Sequence, residues 1–259
     1  MITSSLSTAA PATFSVRKLL PREHGSWALA FEPLALGLIA AFSPAGAWLA
    51  LTVTAAFLAR RPWQLCQDRA DARAALLILG AVGVLSLLVS VKIGGAEILL
   101  PLLAALPAGL IFLWHDTQSS AREAVAEIAG AATFAFVPAA LALGAGLPAE
   151  RAWTLAALML MRAVPAVGVV RNYIRTRKGR GSGPGRALAL GGSFAAAALT
   201  GALVASDRCP PIGFALAAVL ALRAAWLLGP WAPSLSAKKV GVIESVLGAV
   251  YVVALGALY

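Results

Sequence analysis

The sequence predicts an all-α membrane protein of about nine transmembrane helices in one domain. Three observations predict it. The 259 residues are 60% hydrophobic and 12% charged, with a mean hydropathy of +0.85. A soluble domain of this length carries roughly twice that charged fraction. Apolar runs close to the length of a bilayer span recur from end to end. The charges between them gather in islands, because hydrocarbon does not solvate them. The clearest island is Arg60 to Arg73, RRPWQLCQDRADAR, with four arginines and the closely spaced pair Asp68 and Asp71. It sets where the second crossing ends and the third begins.

In chain order, residues 1–24 read as a short cytosolic arm and 25–259 as a single polytopic domain. The first apolar run starts after Arg22, lacks a small-residue cleavage site and is followed by more runs, so it reads as a retained helix. The runs cover about 25–42, 45–59, 74–91, 97–114, 124–146, 152–170, 187–206, 211–228 and 241–258. The second is short and is expected to continue past Arg60 as helix above the membrane. Proline marks run ends at Pro44, Pro62, Pro148, Pro210, Pro211, Pro230 and Pro233. All seven tryptophans lie near run ends, where interfacial anchors belong.

Positive charge orients the threading. With the amino terminus in the cytoplasm and nine crossings, the inner segments hold 16 Lys and Arg and the outer segments only Lys92, Arg151 and Arg208. That bias across short loops is the positive-inside pattern, and it accounts for most of the net +10 charge without nucleic acid. The inner segment Arg171 to Arg186 is rich in glycine and suits a surface near anionic head groups. Cys66 and Cys209 fall on opposite sides, so they are not expected to pair. Arg22-Glu23 before the first helix is echoed by Arg122-Glu123 before the fifth. An offset of four helices would make helices 1–4 and 5–8 a parallel repeat; coincidence in an Ala/Leu/Arg-rich chain is the alternative.

Five charges fall inside apolar runs: Glu32, Glu127, Arg162, Arg223 and Glu244. Each costs on the order of 3 kcal/mol if left unpaired at a helix centre. Counted from the inner helix ends, Glu32 lies roughly 12 Å deep and Arg162 roughly 13 Å, and the other three within roughly 8 Å. All five occupy the cytoplasmic half, which suggests a polar cavity open to the cytosol. Arg223 and Glu244 are shallow enough to snorkel, and Glu127 to line a helix mouth. Glu32 is too short and deep to snorkel and is followed by Pro33, which frees a backbone carbonyl. Arg162, three residues before Pro165, matches its depth. A Glu32–Arg162 pair is therefore expected, as a strut or as a ligand contact. His24 and His115 read as helix-end residues. There is no Walker loop, zinc-type Cys/His spacing or Gly-x-Ser-x-Gly elbow.

Pro21-Arg-Glu-His-Gly-Ser-Trp-Ala-Leu-Ala-Phe-Glu-Pro33, Leu58-Ala-Arg-Arg-Pro62, Arg162-Ala-Val-Pro-Ala-Val-Gly-Val-Val-Arg171 and Lys239-Val-Gly-Val-Ile-Glu244 resemble the YwiC-like family of bacterial membrane proteins. That resemblance implies a multi-pass protein of the bacterial inner membrane and brings no established activity with it. A looser resemblance links the nine helices, with charged cytosolic loops after helices 2 and 6, to the UbiA-type prenyltransferases. It implies a UbiA-like bundle with a cytosol-facing cavity that grips an isoprenoid diphosphate through Mg²⁺. The family's acidic motif after helix 2 is matched only by Asp68 and Asp71, with Ala75 where a further aspartate would fall, and the loop after helix 6 is basic. On this resemblance Asp68 and Asp71 are residual metal ligands, and Arg171, Arg175 and Lys178 are phosphate contacts. Glu32 and Arg162 form the cavity floor. Two Mg²⁺ ions do not fit so few carboxylates. The leading expectation is binding or transfer of a lipid diphosphate, with membrane lipid as partner. A small-solute or ion-coupled transporter using Glu32 and Arg162, and a non-catalytic scaffold, are the alternatives.

Overall fold

The computed structural model describes residues 19–20, 24–118, 123–181 and 183–259. The expected amino-terminal arm, apart from Leu19, Leu20 and His24, lies outside them, as do Arg122 of the echo and the His24 side chain. Among the described residues all regular structure is helical. Nine rods follow the predicted runs: α1 His24–Ala40, α2 Pro44–Leu65, α3 Ala70–Gly94, α4 Ala96–Thr117, α5 Ala124–Gly144, α6 Ala149–Arg177, α7 Gly183–Ala205, α8 Pro211–Leu228 and α9 Ala237–Leu258. Seven of them, α3 to α9, are long and apolar enough to cross a membrane. α1 is shorter, 17 residues or roughly 26 Å. α5 is interrupted once, at Phe136, just before Pro138.

Local chemistry sets the rod ends. Ser43 accepts a hydrogen bond from the Gly46 amide at 2.9 Å, and Pro44 fills the first helical position of α2. α2 runs on through Arg60, Arg61 and Pro62, as expected. α6 overruns its predicted end at 170 by two turns, so Arg171 and Arg175 are helical rather than in a loop. Charge alone does not stop a helix, and Arg175 and Arg177 in the last turn complement its dipole. Gly179, at φ +69°, stops it. There the Arg180 amide reaches the Arg175 carbonyl (2.9 Å) and the Gly179 amide the Thr176 carbonyl (3.0 Å), the paired bonds of a left-handed helix cap.

The centre is built by α1, α5, α6 and α9, which meet around Leu36, Leu155, Leu158, Tyr251 and Leu255. α5 is 56% buried over its apolar window and α3 only 11%, so α3 is at the rim. α3 leans on α2, where Ser90 donates to the Ala45 carbonyl (2.8 Å) and Ser86 shares a 2.9 Å bond with Thr52. Such pairings satisfy hydroxyls where no water is at hand. α4 packs on α5, while α7 and α8 pack on each other and on α6. Buried Tyr173 of α6 donates to the Pro233 carbonyl (2.5 Å) and accepts from the Leu235 amide (2.8 Å). It thereby holds the α8–α9 connection against α6.

Candidate functional site

Four helices each bring one ionisable side chain to a common junction: Glu32 from α1, Arg162 from α6, Arg223 from α8 and Glu244 from α9. Arg162 Nη2 lies 3.3 Å from Glu32 Oε2, and Nη1 lies 3.9 Å from Glu244 Oε2. Arg223 Nη2 lies 2.9 Å from the same Glu244 oxygen. Arg162 Nη2 also donates to the Glu244 backbone carbonyl at 3.3 Å. The side chains of Arg162 and Arg223 are only 3% and 7% exposed, and those of Glu32 and Glu244 16% and 15%. With both carboxylates ionised, charge alternates along this row of four and sums to zero. That arrangement offsets a desolvation cost of several kcal/mol per ion.

The expected Glu32–Arg162 contact is thus present. The expectation for Arg223 and Glu244 needs correction: they do not snorkel outward but turn inward to complete the junction. Gly248, one turn beyond Glu244, is the residue that sequence reasoning missed. A Cβ there would overlap the Glu32 carboxylate and stand 2.9 Å from Arg162 Nη2. Its signal was the i, i+4 spacing from Glu244, which puts both on one helix face. Tyr251 donates to the Leu158 carbonyl at 3.1 Å and ties α9 to α6 one turn from Arg162.

The junction is incompletely satisfied. Arg162 Nε, Arg223 Nε, Arg223 Nη1 and Glu244 Oε1 are buried without a hydrogen-bond partner among the described residues. The Arg223–Glu244 pair is therefore one-pronged, whereas a forked pair would use Nε and the second oxygen as well. Beside it α6, α7 and α8 leave a narrow cleft lined by Arg162, Pro165, Ser193, Ala196, Ala217 and Arg223. It has room for about one water molecule.

The other predicted residues lie elsewhere. Arg171 pairs with Glu127 at 2.9 Å, linking α6 to α5. Asp71 is held by Arg69, whose Nε approaches Oδ1 at 2.9 Å, and it also accepts from the Ala72 amide. Asp68 is exposed, as are Arg175 and Lys178 at the end of α6. Among the described residues no group of three or more His, Cys, Asp or Glu side chains is placed to hold a metal ion. Asp116, unnoticed in the sequence beside His115, pairs with Arg60 at 2.9 Å, and that guanidinium sits 4.4 Å over the Phe112 ring. Cys66 is half-buried and Cys209 buried, and burial pushes the Cys209 thiol up to about 11.

Fold and junction together define a multi-pass α-helical membrane protein with an ionic core. Residues 20–142 match the family model described as YwiC-like protein, which takes in α1 to α4 and most of α5. Glu32, Asp68 and Asp71 fall inside that stretch; Arg162, Arg223, Glu244 and the basic end of α6 follow it. No curated protein and no solved structure matches the chain.

Proposed function

We propose that this protein is an ion-coupled carrier of small solutes, with the Glu32–Arg162–Glu244–Arg223 junction as its coupling element. One observation carries the reading: a buried ionic chain drawn from four helices whose hydrogen bonds are only partly made. A strut for packing alone is served as well or better by apolar side chains of similar volume. Intramembrane charge that faces a bundle interior belongs, as a rule, to ion and substrate pathways. An ionic chain with spare donors exchanges partners at small cost. Protonation of Glu32 or Glu244 would release an arginine, so the coupling ion that suits this junction is a proton. Arg162 faces both carboxylates, and Arg223 faces Glu244.

The test is a flux assay in proteoliposomes loaded with a pH-sensitive dye. On addition of inorganic phosphate or succinate, wild-type vesicles are expected to change lumenal pH faster than protein-free vesicles. Glu244→Gln is expected to lose most of that difference. Wild-type rates equal to protein-free rates with both anions would leave the scaffold reading in its place.

The lipid-diphosphate reading keeps one supporting observation, the exposed Arg175 and Lys178 at the end of α6. An isoprenoid diphosphate copurifying with the protein, identified by mass spectrometry, would favour it. The proposed setting is the bacterial inner membrane, with the amino terminus in the cytoplasm. In sealed inverted vesicles a membrane-impermeant maleimide at pH 7.5 is expected to label Cys66, and in intact spheroplasts it is expected not to. Cys209 should react in neither before denaturation. With a thiol pushed up to about 11, its thiolate fraction is on the order of one in three thousand. Cys66 labelling from the outside would invert the topology.

A further inference from the structure

We infer that the cleft between α6, α7 and α8 is a binding site for a small oxyanion, a single carboxylate or phosphate group. Arg223 and Arg162 would hold it. As a substrate site it rests on the carrier reading; as an anion site it rests on the side chains themselves. Arg162 and Arg223 both line one cleft, and each residue is more than nine-tenths buried. Three of their nitrogens, Arg162 Nε, Arg223 Nε and Arg223 Nη1, have no partner among the described residues. Buried donors of this kind cost about 1–3 kcal/mol each when left unpaired, more when charged. An oxyanion with two or three acceptor oxygens would satisfy them at once, and the forked geometry of guanidinium favours such planar or tetrahedral anions.

Size follows from the same geometry. The cleft as it stands has room for about one water molecule. A ligand must therefore displace something; Glu244, outside the cleft lining but held to Arg223 by a single 2.9 Å contact, is the side chain that would yield. Glu244 acts as a resident carboxylate that occupies Arg223 until a free anion replaces it. Apart from Ser193 the remaining lining is apolar, with Met161 and Leu220 beside Pro165 and three alanines. Ser193 already donates to the Ala189 carbonyl at 2.9 Å, so it adds no donor specific for a larger head group. A bulky diphosphate finds no further cation there.

The experiment is thermal denaturation of the purified full chain in detergent, at fixed pH and matched ionic strength. Sodium phosphate and sodium acetate are titrated against sodium chloride. Wild type is expected to gain an anion-specific rise in melting temperature that saturates. Glu244→Gln removes the resident competitor, so its half-saturation should fall by about tenfold. The double variant Arg223→Met, Glu244→Met removes the pair together and leaves Glu32–Arg162 intact, so it is expected to fold. It should show no anion-specific rise. Failure of both wild type and Glu244→Gln to respond beyond chloride would overturn the site, as would a full response in the double methionine variant. Flux in proteoliposomes without any of these anion responses would remove this site and keep the carrier. Anion-specific stabilisation without flux would keep the site and remove the carrier.

Discussion

Replacing Gly248 by alanine is expected to destabilise the protein by about 3–5 kcal/mol, the range found when one partner of a buried ion pair is lost. The added methyl would overlap the Glu32 carboxylate and crowd Arg162 Nη2 at 2.9 Å. The backbone has no room to yield, because α9 lies close along α1 at this level and again at Gly256, where a Cβ would stand 2.9 Å from Ile39 Cγ2. The carboxylate must therefore swing away, which breaks its 3.3 Å contact with Arg162. Gly241→Ala in the same helix is the control. Nothing lies near its would-be Cβ, and helix propensity alone should make that change stabilising by up to about 1 kcal/mol. Equilibrium unfolding in SDS from mixed micelles measures both. A Gly248→Ala cost no larger than the effect at Gly241 would mean that the glycine does not shelter the junction.

Much of this architecture is legible in the amino-acid order, because the bilayer imposes a length and a polarity on each element. The nine runs, the extension of α2 beyond Arg60 and the meeting of Glu32 with Arg162 all follow from that constraint. Helix ends are less legible. α6 passes Arg171 because a cation in the last turn is compatible with helix, and only the left-handed residue Gly179 ends it. Partner choice is least legible. Depth counting put Glu244 and Arg223 near the surface, but it cannot say which way a helix is rotated. Whether a charge turns to lipid head groups or to another helix depends on packing between residues far apart in sequence. Gly248 is a space left for a side chain more than 200 positions earlier. Asp71 illustrates the converse: its spacing from Asp68 resembles a metal motif, but Arg69 two residues away takes up its carboxylate.

Arg162→Met is expected to cost about 3–5 kcal/mol, because it leaves Glu32 buried without its cation while Glu244 keeps Arg223. Methionine nearly preserves the volume, so the loss is chiefly electrostatic. Adding Glu32→Gln should recover at least about 2 kcal/mol of it, since an unpaired amide is cheaper to bury than an unpaired carboxylate. The pair Arg171–Glu127 supplies the contrast. Those side chains are 24% and 35% exposed, so Arg171→Met should change stability by no more than about 1 kcal/mol. Unfolding in SDS gives the stability cycle, and proteoliposome flux gives the second readout. Were Glu32 and Arg162 only a strut, the rescued double variant would regain transport along with stability. The junction as coupling element requires the two to separate: Glu32→Gln with Arg162→Met is more stable than Arg162→Met alone, yet moves no anion. A double variant no more stable than Arg162→Met alone would show instead that the two side chains do not share an interaction worth measuring.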